Sequence, residues 1–174
     1  WKNMRLTETG RIARVLIHPT DPNIVYVCSQ GRMTGPQEER GIFKTTDGGA
    51  NWKRVLFVDG KTGCSGLSMD AKNPEILLAG FWQAEQHTWG QFSGGPGSSL
   101  QLTKDGGATW TQLPFPDPAF YPPAPGIDVA VDASGRICVA HVDASSGMLT
   151  TARSLDGARS VVHGATLPIG HPFA

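Results

Sequence analysis

The sequence predicts an all-β fold built from repeated four-stranded units, and three observations carry that prediction. The octet TTDGGANW at residues 45–52 returns as TKDGGATW at residues 103–110. Around each octet lie short runs rich in Val, Ile, Leu and aromatic residues, bounded by Gly, Pro, Asp and Asn clusters that favour turns. Helical periodicity is nowhere sustained over about 11 residues, because Pro and Gly interrupt every candidate window.

The repeat extends beyond the octets. Trp52 opens WKRVLFVDGKTGCSGLSMDAKNPEILLAG and Trp1 opens WKNMRLTETGRIARVLIHPTDPNIVYVC. Trp–Lys begins both, Thr-Gly recurs at 9–10 and 62–63, and Asp21-Pro22 answers Asn73-Pro74. Trp1 is therefore expected to close an octet whose front is missing, so that the chain starts in mid-repeat. Trp1, Trp52 and Trp110 become equivalent positions, 51 and 58 residues apart.

In the first unit the strands are RIARVLIH, NIVYVCS, GIFKT and WKRVLF, with turns at PTDP and TDGGAN. A third unit follows Trp110. Alternating runs in GIDVAVDASGRICVAHV (126–142) flank the turn at 133–135, and GMLTTARSLDGARSV (147–161) carries an octet remnant at 154–158 without its Trp. The chain thus reads as one domain, 1–174, with units at about 1–51, 52–109 and 110–164.

Four strands per unit at a period near 50 describe propeller blades, twisted sheets packed face to face. A sandwich is the competing architecture, but it would show no long-range self-similarity. Three units are fewer than the usual four to eight blades of a closed propeller, so a partial or open propeller is expected. A terminal blade left uncovered exposes apolar surface and strand edges, which favours self-association to complete a ring.

The octet has a local physical purpose. Asp47 can accept hydrogen bonds from nearby backbone N–H groups. Gly48 and Gly49 supply positive φ, the Thr45 hydroxyl joins the network, and Trp52 pins the turn to its blade. The same roles fall to Thr103, Asp105, Gly107 and Trp110. A carboxylate so occupied, at a corner expected to be buried, is a structural group and a poor acid–base catalyst.

Both octets resemble the Asp-box, or bacterial neuraminidase repeat, of pattern Ser/Thr-x-Asp-x-Gly-x-x-Trp, and match it at every specified position. RIARVLIHPTDPNIVYV, ERGIFKTTDGGANWKRVLFVD and SGGPGSSLQLTKDGGATW are similar to bacterial propeller proteins of the glycosyl hydrolase-like and sortilin-like group, akin to xyloglucanase propellers. The resemblance covers residues 1–115 and fades beyond them. It implies a propeller in which the box is a folding element far from the ligand face. It also implies extracytoplasmic residence, secreted or periplasmic. Function stays open, since that group holds sialidases, endoglucanases, sorting receptors and assembly factors.

Composition removes several function classes. Fifteen basic and 15 acidic residues give a formal charge of zero, without the basic face of a nucleic-acid binder. Arg5, Arg11 and Arg14 are interrupted by apolar residues and read as a solvated strand face. Gly (22) and Pro (13) stay below the roughly 25–30% of low-complexity chains. No apolar run of about 18 residues predicts a membrane span. His18, His87, His141, His163 and His171 lack ligand spacing, so no metal is expected. GGPG lacks the Lys and Ser/Thr of a phosphate loop, so no nucleotide or other cofactor is expected. Cys28, Cys64 and Cys138 have no paired spacing; they read as small buried apolar residues, with at most one bridge whose partners the sequence does not choose.

Two function classes remain. The first is a module that binds a carbohydrate or a protein through the inter-strand loops 30–40 and 81–97. Its candidate ligand residues are Trp82, His87 and Trp89 in the long insertion 81–99, with Arg32 and Arg40 in the first loop, beside Glu38 and Glu39. Loops on a rigid scaffold are where function tends to sit, and aromatic rings stack on sugar faces. The second is a glycoside hydrolase or a fragment of one, which requires two carboxylates flanking the sugar bond. Asp70, Asp128, Asp132 and Asp143, at or near predicted strand ends, are its candidates. A sialidase site would need a nucleophilic Tyr; Tyr26 sits in an apolar strand and Tyr121 in a Pro-rich loop.

Overall fold

The structure is a computed structural model that describes residues 2–113, 127–131, 137–143, 148–154 and 161–168. Trp1, Tyr121, Asp132 and most of the octet remnant at 154–158 lie outside the described residues. Strands β1 (Ile12–Ile17), β2 (Val25–Ser29), β3 (Gly41–Thr45) and β4 (Lys53–Leu56) form a first antiparallel sheet in chain order. The second contains β5 (Thr62–Met69), β6 (Leu77–His87), β7 (Gly90–Ser93), β8 (Ser99–Thr103) and β9 (Thr111–Leu113). Its path runs β5-β6-β8-β9, and β7 pairs only with β6. The third is β10 (Ile127–Val131), β11 (Ile137–Asp143), β12 (Met148–Ser154) and β13 (Val161–Pro168), again in order.

The first two sheets repeat each other in hydrogen-bond detail. The His18 N–H donates to the Ile24 carbonyl at 2.9 Å, and Asp70 donates to Ile76 at 3.0 Å. Gly48 donates to Asn23 at 3.0 Å, and Gly106 to Glu75 at 2.9 Å. Each octet turn therefore leans on the β1–β2 type turn of its own sheet, at one end of the blade. Because the strands are antiparallel, the connection 30–40, the link 57–61 and the segment 84–98 all fall at the opposite end.

Packing follows the period of two. Leu77, Ala79 and Phe81 point to one face of the second sheet and form a buried cluster with Tyr26, Cys28 and Ile42 of the first. Leu78, Leu100 and Leu102 point to the other face and bury Val129 of β10. The second sheet is thus covered on both faces, each fully buried Leu or Phe contributing about 1.5–3 kcal/mol. On the first sheet the face turned away from this cluster is buried at Val27 and Phe43 but open along β1. Val15 and Ile17 occupy the places that Leu67 and Met69 hold in the second sheet, yet they are 52% and 61% exposed. The three sheets do not close into a ring.

The expectation of three unpaired, buried cysteines is corrected here. Cys28 on β2 and Cys64 on β5 form a disulfide with Cα atoms 5.1 Å apart, joining the first sheet to the second, whereas Cys138 is free and exposed. The blades approach closely at this seam: a Cβ on Gly63 would lie 2.2 Å from the Gln30 carbonyl oxygen. Only glycine fits there, for a reason of space and not of φ.

Candidate functional site

The insertion after Phe81, expected to be a loop between strands, is instead a continuation of β6 that leaves β8 and folds back on β7. Ala84 pairs with Ser93, Glu85 with Phe92, Gln86 with Gln91 and His87 with Gly90. Thr88 and Trp89 alone make the turn. QAEQH and GQFS lack apolar–polar alternation, so no local signal announced these strands.

This hairpin carries an aromatic cluster at its tip. The His87 and Trp89 rings stack at 4.8 Å and 15°, and Phe92 meets His87 edge-on at 5.5 Å. Trp89 is 78% exposed and Phe92 is also exposed. Glu85 sits beneath them, its two carboxylate oxygens 3.2 Å from His87 Nε2 and 3.3 Å from Lys61 Nζ. Sequence reading missed Glu85 and Lys61, because their partnership depends on β5 starting beside the hairpin. Trp82, half-buried, donates its indole N–H to Ser93 Oγ at 3.2 Å and braces the hairpin base.

The structure brings the two expected loops together. Gln86 N–H donates to the Met33 carbonyl at 2.8 Å, and Gln37 N–H to the Gly60 carbonyl at 2.8 Å. Arg40 is the anchor of this corner and not a surface group. It is fully buried, and its guanidinium donates to the carbonyls of Lys61 (2.8 Å), Gly35 (3.4 Å) and Arg32. Burial pushes its pKa down, opposed by the charges of Asp59 and Glu85. Arg32 is exposed beside it, its N–H held by Gln37 Oε1 at 2.5 Å. The geometry suits a ligand laid across flat rings with charged and polar groups at their edge.

Asp70 caps its turn, Oδ1 accepting from the N–H groups of Lys72 (2.7 Å) and Asn73 (3.0 Å). It borders a hollow of about 360 Å³ between β1, β5 and β10, which Val129 and Ala130 also line. Asp128 lies on β10 and Asp143 ends β11.

The two octet turns superimpose bond for bond. Thr45 Oγ1 donates to Asp47 Oδ1 at 2.7 Å and accepts from Gly49 N at 3.0 Å; Thr103, Asp105 and Gly107 repeat both distances. Asp47 Oδ1 accepts from Asn51 N, and Asp105 Oδ1 from Thr109 N, each at 2.9 Å. The four glycines 48, 49, 106 and 107 all have positive φ. Here the expected buried corner is divided: Thr45 and Gly49 are buried while the Asp47 carboxylate is exposed. Hydrogen bonds, led by Asn51 N–H for Asp47 and by the Thr109 side chain for Asp105, hold both pKa values down at about 2. Both acids stay ionised, and neither can supply a proton near neutrality.

No protein-family model matches the chain, and no curated protein matches it. Solved structures do. The GH74 xyloglucanase from Xanthomonas campestris superimposes with a TM-score of 0.61 at 15% identity, over 88% of this chain and 21% of that one. YCF48 from Cyanidioschyzon merolae superimposes at 0.54 with 16% identity, over 94% and 42%. The fold is of the β-propeller type. A structure of YCF48 bound to D1 peptide matches at 0.52 and 16% identity, over 91% and 40% of the two chains. The chain thus spans less than half the length of each of these propellers, and at such identities the likeness concerns fold alone.

Proposed function

We propose that this chain is an Asp-box propeller module that binds a carbohydrate through the end carrying the β6–β7 hairpin. The observation that carries the reading is the exposed stack of Trp89 on His87 with Phe92 beside it. Aromatic faces left in water at the rim of a rigid scaffold suit the apolar faces of sugar rings, while Glu85, Lys61 and Arg32 stand ready for hydroxyls. Membership of the Asp-box group is supported by the octet pattern and by the identical hydrogen bonding of its two copies. The fold is shared both with a xyloglucanase and with a protein solved bound to a peptide. A protein ligand at the same rings is therefore the second reading. A hydrolase is less well supported, because Asp70 is committed to its turn.

A glycan array followed by calorimetry tests the proposal. Trp89→Ala should abolish binding, at least tenfold, without moving the thermal midpoint, since Trp89 supports no core. Binding that survives Trp89→Ala, or an array silent throughout, would sink the carbohydrate reading; capture of an extended peptide lost on the same substitution would establish the second. We also propose residence outside the cytoplasm, supported by the Cys28–Cys64 disulfide, since such bonds persist in oxidising compartments. Thiol labelling of the chain in its native compartment should find both residues oxidised.

A further inference from the structure

At the other end of the blades lies a groove of about 340 Å³ between the two octet turns, lined by Lys44, Lys53, Asp47, Asn51, Trp52 and Val55 on one side and by residues 106–108 on the other. Its lysine pair is not repeated in the second sheet. Lys44 on β3 and Lys53 on β4 are direct cross-strand partners, and like charges placed so oppose each other. Fifty-eight residues on, the same two places hold Leu102 and Thr111, also direct partners. Of these two sheets, the first sets two lysines opposite each other on neighbouring strands.

Neither lysine belongs to an ion pair among the described residues, where the pairs are Lys61–Glu85 and His87–Glu85. Lys44 Nζ is steadied by the Gly106 carbonyl at 2.8 Å and lies 5.2 Å from the centre of the Tyr26 ring, and Lys53 is exposed. Glu75, whose carboxylate a methyl group on Gly106 would meet, stays beyond ion-pair distance of Lys44. The lining itself holds two lysines and the single carboxylate of Asp47, with Glu75 close by behind Gly106.

The other groups describe what the anion is attached to. Asp47 Oδ2 accepts one hydrogen bond, from Asn51 Nδ2 at 2.8 Å, and retains capacity for a ligand hydroxyl. Trp52 spends its N–H on the Met4 carbonyl at 2.8 Å, so its contribution to the groove is apolar ring surface. We propose that this groove binds an acidic saccharide, a uronate whose carboxylate bridges Lys44 and Lys53, whose hydroxyls bond Asp47 and Asn51, and whose ring lies against Trp52. The site is independent of the hairpin, being at the opposite end of the blade.

The test is a titration of the chain with digalacturonate, its methyl ester and inorganic sulfate, followed by the amide NMR signals of residues 44–55 and 106–108. Digalacturonate should shift those signals. The neutral ester should bind at least tenfold more weakly, Lys53→Gln should weaken digalacturonate at least tenfold, and Trp89→Ala should leave it unchanged. Lys53 is exposed, so its substitution keeps the fold. Equal binding of acid and ester, no effect of Lys53→Gln, no shift at all, or the same shifts from sulfate alone would each overturn the proposal.

Discussion

Thr45 and Thr103 each hold an octet turn through one buried hydroxyl, which gives a hydrogen bond to an aspartate and takes one from a glycine. The aspartate in turn gathers the N–H groups that follow, and its pKa falls to about 2 from the ordinary 3.8. The sign follows from linkage. A carboxyl that is more acidic when folded contributes stability above its unfolded pKa, and that contribution is lost as pH falls from about 4 to about 2. The thermal midpoint should therefore decline over that window. The double variant Asp47→Asn, Asp105→Asn should have a lower midpoint at neutral pH and a shallower acid decline; an unchanged acid limb would show that these turns do not govern it. Both turns were legible in advance because the partners of their Thr hydroxyls and Asp carboxylates lie within a span of seven residues. Arg40 was not: its carbonyl partners include Lys61, which sequence distance hides.

Among elements, β2 and β5 are the pair on which the module turns. They lie in different sheets, and the Cys28–Cys64 bond joins them across 36 residues. In the chain-entropy account a loop of that length confers about 4 kcal/mol by restricting the unfolded state. The Cys28→Ala, Cys64→Ala variant should lose about that much in denaturant unfolding, and a loss below about 1 kcal/mol would mean that core packing alone holds the seam. The hairpin gives a different lesson. Its residues show no period-two apolar pattern, and the Gly, Ser and Pro around them favour a loop. Pairing of β7 with β6 decided the matter, and with it the placing of Trp89, His87 and Phe92 on one tip.

For the whole molecule the deciding feature is the uneven covering of its sheets. The second sheet is buried on both faces, whereas the first presents Val15 and Ile17 to solvent at positions whose counterparts, Leu67 and Met69, pack inside. We expect this face to drive self-association. Sedimentation of the chain should show a mass above 18.5 kDa that rises with concentration, and Ile17→Glu should return it to the monomer. A monomer at all concentrations would assign that face to solvent or to another partner.

Sequence alone determined the four strands that recur in the first two sheets, their phase and the chemistry of the octet turns, because each rests on contacts between near neighbours and on a pattern stated twice. It also drew attention to residues 30–40 and 81–97. Tertiary structure decided what those segments are: a buried Arg40 anchor under one and an aromatic-tipped hairpin in the other, joined by the bond from Gln86 to Met33. It also chose the cysteine pair and set Lys44 beside Lys53 facing the next blade's turn. These depend on which strand lies beside which, and on how one sheet stacks on the next. Such choices are set by burial summed over a whole face, which no short stretch of chain records.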